Sequence, residues 1–281
     1  MISSLAAIAK LVLFFSSIII AVPFQALILV FTNDKGAYVI PQLWHRFVCA
    51  LFGIKVQIEG MPAAGRQTLF ACNHLSYLDI PAISTVLPVS FIAKADVAGW
   101  PLFGLLAKLQ RTAFISRRPQ DARRESAAIG KRLQQGDSLV LFPEGTSSNG
   151  ANVLPFKSSL FALLLQDGHI ANHLGGPAAG HNALLNGGQG TGQIGGHTLV
   201  QPVTVRLDAV NGAPVTTDAQ RDIYCWHGDM TLPPHLWTLC KNKGASLTIS
   251  FHDPIDTALY EDRKKLALDC QKEVAKSIGS R

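Results

Sequence analysis

Across Cys72-Asn73-His74-Leu75-Ser76-Tyr77-Leu78-Asp79 an imidazole and a carboxylate stand five positions apart. Imidazole is the side chain whose ordinary pKa lies nearest neutrality. A carboxylate beside it holds one ring tautomer and stabilises the ring once it has taken a proton. On a continuous helix five residues turn through about 500°, so the two side chains would point about 140° apart. They meet only if His74 lies in a turn and Asp79 in the first turn of the helix that follows. The apolar run Thr68-Leu69-Phe70-Ala71 just before them reads as a buried strand, which puts His74 at a strand end. A lone His–Asp pair is more often structural than catalytic, so the rest of the chain has to decide.

A second strand end carries chemistry. Ser138-Leu139-Val140-Leu141-Phe142 runs into Pro143-Glu144-Gly145-Thr146, a carboxylate and a glycine in one turn. In open α/β sheets ligands gather beyond the carboxyl ends of the strands, so His74 and Glu144 should share a rim. Gly145 permits close backbone approach, and its amide is a candidate donor to a developing oxyanion. Thr112 to Ile115 leads to Arg117 and Arg118, whose guanidinium groups suit bidentate phosphate binding. Lys94 adds a cation at the end of Val89–Ala93. Val200-Gln201-Pro202-Val203 places a proline beside a strand, where it could shape an apolar wall.

The elements that must position these residues alternate. Candidate strands cover 54–58, 68–71, 89–93, 112–115, 138–142, 199–205 and 246–251. Candidate helices cover 80–87, 101–109, 120–135, 156–166 and 259–278. In the last, Leu266, Cys270, Val274 and Ile278 form one stripe at four-residue spacing. Strands alternating with helices imply a single α/β catalytic domain with a largely parallel central sheet flanked by helices, over 54–281. Lys/Arg-rich 120–135 reads as a solvated helix face.

Ahead of this domain, residues 1–53 read as an anchor. The run 11–31 contains no charge and, at 1.5 Å per residue, is about 31 Å long, enough to cross a hydrocarbon core. It is too long for a cleaved signal peptide. Pro23 and Gln25 interrupt it, so a clean span and a kinked segment dipping into one leaflet both remain open. Lys10, Lys35 and Arg46 leave its orientation undecided. Trp44, Phe47, Val48, Leu51 and Phe52 then follow helical spacing, an amphipathic helix suited equally to the membrane surface or to packing on the domain.

Composition agrees. Only 16% of the 281 residues are charged, 48% are hydrophobic, and the mean hydropathy is +0.22. The net charge of +6 suits nucleic acid, an anionic membrane face or phosphate-bearing substrates. Cys49, Cys72, Cys225, Cys240 and Cys270 lie singly, against a zinc ribbon or a disulfide framework. Residues 167–198, rich in glycine, asparagine and histidine, should form a flexible insert. It contains Gly190-x-Gly192-x-x-Gly195, but no strand precedes that run and no helix follows it, so it is not a dinucleotide fingerprint.

Taken in order, the four rim segments resemble the four motifs of the glycerolipid acyltransferase family, typified by 1-acylglycerol-3-phosphate acyltransferase. Asn73-His74-x4-Asp79 resembles the first, Phe114-Ile115-x-Arg117 the second, Phe142-Pro143-Glu144-Gly145-Thr146 the third and Val200-Gln201-Pro202-Val203 the fourth. The resemblance spans about 54–210. It implies a membrane-bound enzyme that moves a fatty acyl chain from acyl-CoA or acyl carrier protein to a lysolipid hydroxyl. His74 would act as base, oriented by Asp79. Lys94, Arg117, Glu144, Gly145 and Thr146 would hold the acceptor. Asn73, Pro143 and Pro202 would build the acyl pocket or support it. It implies neither a metal nor a cofactor, no nucleic-acid partner, and a catalytic domain facing the cytoplasm from a bacterial inner membrane.

The third motif departs from the common pattern, because Ser147 stands where many phosphatidate-forming members have arginine. The stretches 153–161 and Trp226-His227-Gly228-Asp229-Met230 look like the bacterial branch that includes lyso-ornithine lipid acyltransferases. Lysophosphatidate, the family's majority acceptor, is narrowly preferred here, with lyso-ornithine lipid as the alternative. Two rivals stand beside these. A serine hydrolase would need a G-x-S-x-G elbow, which the chain lacks, although Cys72 or Ser76 could in principle be acylated. A non-catalytic membrane-tethered lipid-binding protein would explain the anchor but not the His–Asp pair.

Overall fold

The computed structural model describes residues 2–64, 68–116, 118–162, 164 and 198–279. Two helices come first, α1 (Ser4–Phe31) and α2 (Val39–Phe52). Strands β1 (Ile54–Glu59) and β2 (Thr68–Cys72) then lead into α3 (Asp79–Val86). Next come β3 (Ser90–Lys94), α4 (Phe103–Leu109), β4 (Ala113–Ile115), α5 (Pro119–Gln134) and β5 (Leu139–Leu141). After the insert follow β6 (Leu199–Val210), β7 (Ala213–Pro214), α6 (Asp218–Arg221) and α7 (Leu232–Cys240). The described chain closes with β8 (Ala245–Phe251), β9 (Ile255–Asp256) and α8 (Arg263–Gly279).

The sheet runs in the order β1-β8-β6-β2-β5-β3-β4, with β7 and β9 pairing on β6. Every pair along this path is parallel except β6–β8, so β1 and β8 oppose the others. The parallel block of β6, β2, β5, β3 and β4 sends its strand ends to one rim. In that block β2, β5 and the first residues of β6 are buried, as strands covered on both faces must be. β6 outruns the predicted 199–205 because its second half pairs with β8 and alternates, with Arg206 and Asp208 half-exposed and ion-paired at 2.7 Å. Pro202 has no N–H to donate. It lies where β6 passes from β9 to β8 as neighbour, its carbonyl accepting from the His252 amide at 3.1 Å.

Helix α8 buries Leu266, Cys270 and Val274 of the predicted stripe, while Ile278 at its end is half-buried. The predicted helix 156–166 differs at its start: Ser158–Phe161 forms a 3-10 turn, after which the described residues Ala162 and Leu164 are helical. The predicted insert 167–198 lies outside the described residues apart from Thr198. Helices α6 and α7 were not expected, yet both carry local start signals. Thr217 and Gln220 close a capping box, and α7 has proline in its first turn.

The 28-residue helix α1 buries Ala7, Phe14, Ile18 and Gln25 along one stripe and joins the apolar cluster that contains Phe52, Phe70 and Val203. Both of its ends are tied to the domain. The Ile2 amide donates to the Lys241 carbonyl at 2.8 Å and Lys10 Nζ to the Asn242 carbonyl at 3.0 Å. At the other end Gln25 Nε2 donates to the carbonyls of Ala37 and Leu109, each at 2.9 Å. The opposite face of α1 exposes Leu5, Ile19, Phe24, Leu27 and Val30. Helix α1 therefore lies along the domain with an apolar outer face.

Candidate active site

The end of β2 is clamped before it delivers His74. Asn73 Nδ2 donates to the Val205 carbonyl at 2.9 Å, and its Oδ1 accepts the Val205 amide at 2.7 Å, joining the turn to β6. His74 then lies in the turn and Asp79 opens α3, the arrangement the five-residue spacing requires. His74 Nδ1 and Asp79 Oδ2 are 2.8 Å apart. The same oxygen accepts the amides of Leu75 at 2.7 Å and Ser76 at 3.0 Å, while Oδ1 accepts Tyr224 Oη–H at 3.0 Å. Asp79 is completely buried, so these four donors replace the water a carboxylate needs. With Nδ1–H committed to Asp79, the lone pair of His74 rests on Nε2, on a ring that keeps 20% of its side-chain surface.

The turn after β5 comes next to His74 because β2 and β5 are parallel neighbours. Phe142 stacks on the imidazole, with centroids 4.0 Å apart and planes within 18°, and the Ser148 amide donates to the His74 carbonyl at 2.9 Å. Pro143 and Glu144 are buried, and Thr146 is exposed at the rim. Neither oxygen of Glu144 has a hydrogen-bonding partner. Burial pushes its carboxyl up to about 8. The Asp79 charge pushes the same way, and the amides of His74 and Leu154, which face it short of hydrogen-bond geometry, offset part of this. Near neutrality Glu144 keeps its proton, which spares the site a second buried charge.

One expectation is corrected. The Gly145 amide already donates to the Phe142 carbonyl at 3.0 Å, closing the turn, so it is not a free oxyanion donor. What Gly145 contributes is a left-handed φ of +67° that side chains disfavour. Lys94 ends β3 on the same rim, and Arg118 is exposed beyond β4, while Arg117 lies outside the described residues. The acylation route loses support: Cys72 and Ser76 are both completely buried, and burial holds the Cys72 thiol well above its ordinary range.

Beside the His74 turn lies an apolar cavity of ≈ 200 Å³, bounded by Phe14, Trp44, Phe52, Tyr77, Phe91 and Trp100 among others. Its walls come from helices α1 to α4 and α7, from β3 and from the turns beside them, and not from Pro143 or Pro202, whose part is in the turn and the strand. Tyr77, from the His74–Asp79 turn itself, bonds His235 Nδ1 at 3.0 Å and meets Trp226 edge-on at 5.8 Å. Sequence reasoning missed Tyr224 and His235, because nothing local marks a tyrosine as the partner of a carboxylate 145 residues away.

A histidine held in one tautomer at a sheet rim leaves a ring nitrogen open beside an apolar cavity. The architecture is that of an α/β protein with a largely parallel sheet flanked by helices. A family model described as "Acyltransferase" matches residues 53–172. A lyso-ornithine lipid O-acyltransferase of Brucella abortus is 34% identical over 92% of this chain and 88% of its own length. A 1-acyl-sn-glycerol-3-phosphate acyltransferase of Neisseria gonorrhoeae is 38% identical over 77% and 72%. The crystal structure of the 1-acyl-sn-glycerophosphate acyltransferase from Thermotoga maritima shares the fold, with a TM-score of 0.61 at 18% identity over 96% of this chain and 95% of that one. The chain belongs to the acyltransferase family.

Two predictions follow from this geometry. Asp79→Asn puts an amide nitrogen among three N–H donors and a hydroxyl, and should lower kcat by about 10³-fold or more, whereas Tyr224→Phe should cost about 1.5–3 kcal/mol of stability. Steady-state rates and thermal unfolding of the two variants check this, and wild-type kcat in Asp79→Asn would refute it. The second concerns pH. An unfolded glutamate ionises near 4.5 and folded Glu144 near 8. Between those values the folded state keeps a proton that the unfolded state releases, so stability falls as pH rises through that window, by an amount on the order of a few kcal/mol. Glu144→Gln removes this dependence, so its melting temperature relative to wild type should rise from about pH 5 to about pH 8, and a constant difference would contradict the assignment.

Proposed function

We propose that this chain is a membrane-associated lysolipid O-acyltransferase, using acyl-CoA or acyl carrier protein as donor and no metal or cofactor. His74 Nε2 takes the proton from the acceptor hydroxyl as the oxygen attacks the thioester carbonyl. The C–S bond then breaks, and the thiolate leaves with the proton from His74. Asp79 orients the ring and stabilises its protonated form. Lys94, Arg117, Glu144 and Thr146 contribute to the acceptor side of the site. The observation that supports this reading most is the 2.8 Å His74–Asp79 bond beside an apolar cavity.

The favoured acceptor is a lyso-ornithine lipid. Ser147, where a phosphate-binding arginine would stand, turns its hydroxyl onto the Trp226 carbonyl, so this turn presents no guanidinium there. The long alignments with lyso-ornithine lipid O-acyltransferases point the same way. Lysophosphatidate, preferred from the sequence, stands as the second reading and is supported by the 38% identity to the Neisseria enzyme. The outer face of α1 would seat the protein on the cytoplasmic side of a bacterial inner membrane, where both acyl donors are made.

Purified protein should therefore acylate lyso-ornithine lipid with a kcat/KM about tenfold or more above that for lysophosphatidate or lysophosphatidylethanolamine, a gap of about 1.4 kcal/mol. The reverse ranking would establish the second reading. His74→Ala should abolish turnover with every acceptor, and near-wild-type rates in that variant would sink the enzymatic mechanism. Membrane seating has a separate check. Replacing exposed Ile19, Phe24 and Leu27 together by aspartate should stop the protein floating with anionic vesicles without changing its fold, and unchanged flotation would move the anchor elsewhere.

A further inference from the structure

The turn after β5 lacks a guanidinium at position 147, yet it does not lack a cation. A Cβ built on Gly145 would stand 2.5 Å from Lys157 Nζ, 3.1 Å from its Cδ and 3.2 Å from its Cε. The end of the lysine side chain thus lies over Gly145, in the volume any other residue there would fill. The Lys157 amide donates to the Pro143 carbonyl at 2.9 Å, which fixes the root of the side chain to the same turn. Lys157 is exposed, and among the described residues no carboxylate pairs with its ammonium. Glu144, its neighbour on the turn, is buried and held protonated, so it offers no countercharge. This perch is joined to the base, since Phe142 stacks on His74 and the Ser148 amide holds the His74 carbonyl.

We infer that Lys157 binds the anionic group of the acceptor, a headgroup carboxylate or phosphate, and so sets the acceptor hydroxyl before His74. The inference rests on the proposed lysolipid reading and assigns a residue that none of the four motif segments contains. A lysine ammonium is a compact charge with three rotatable donors, whereas a guanidinium is a rigid fork matched to planar bidentate partners. A cation at Lys157, with serine at position 147, therefore gives an attraction that either anion satisfies and not a bidentate geometric match. Gly145 is the residue that makes room for it.

The test measures binding apart from turnover. Lyso-ornithine lipid, lysophosphatidate and uncharged monoacylglycerol in detergent micelles are titrated against full-length His74→Ala protein, with and without Lys157→Gln or Lys157→Arg. Lys157→Gln should weaken binding of the two anionic lipids by about tenfold or more and leave monoacylglycerol unchanged, and Lys157→Arg should restore most of the loss. In the protein with His74 intact, Lys157→Gln should raise the acceptor KM and leave the acyl-CoA KM alone. Loss with one anionic lipid only identifies which anion is held. Acceptor binding within twofold of the parent, or a rise confined to the acyl-CoA KM, overturns the assignment. If His74→Ala remains active, the acyl-transfer mechanism fails while the binding titrations still decide the role of Lys157.

Discussion

A carboxylate at zero exposure is the constraint around which this molecule is arranged. Asp79 can stay buried only because a ring N–H, two backbone amides and a tyrosine hydroxyl all point at it. Those donors come from places that must be held in register. β2 must end where it does, α3 must start at Asp79, and the stretch before α7 must bring Tyr224 back through the core. The pair of hydrogen bonds between Asn73 and Val205 closes this assembly from the β6 side. The imidazole is the last member of the network and the one left partly open, which is how a structural requirement becomes chemistry.

The two sides of the site are made from unlike materials because a lipid is. On the polar side, the turn after β5 brings a stacked phenylalanine, a neutral buried acid and a lysine lying over a glycine. On the apolar side, helices contributed largely by the N-terminal segment enclose the cavity. Helix α1 serves two environments at once: its Phe14–Ile18 stripe completes the core, and its other face is largely hydrocarbon. The same helix therefore lines the cavity through Phe14, Val22 and Gln25 and carries Ile19, Phe24 and Leu27 on its exposed side.

Much of this was legible in advance, for reasons that differ by residue. The buried runs of β2 and β5, the Leu266–Cys270–Val274 stripe and the His74–Asp79 turn all rest on periods or spacings within a few residues. Such patterns survive in a single sequence because the interactions behind them are local. The half-exposed second part of β6 was underestimated because its partner, β8, begins 35 residues further on, after α6 and α7. The free Gly145 amide was a local inference that failed locally, since the turn consumes its own donor.

By itself the sequence determined an α/β sheet with a charge-free N-terminal run, and a histidine, an aspartate and a glutamate at two strand ends of one rim. Strand runs, turn residues and motif spacing are short-range properties that each segment carries alone. Only the tertiary structure decided that Tyr224 completes the Asp79 network, that Ser147 faces the Trp226 carbonyl, that Lys157 lies over Gly145, and that α1 is tied to the domain at both ends. Each of these joins segments whose separation along the chain leaves no periodic trace. They are settled by packing, which sees the distances between side chains and not their order.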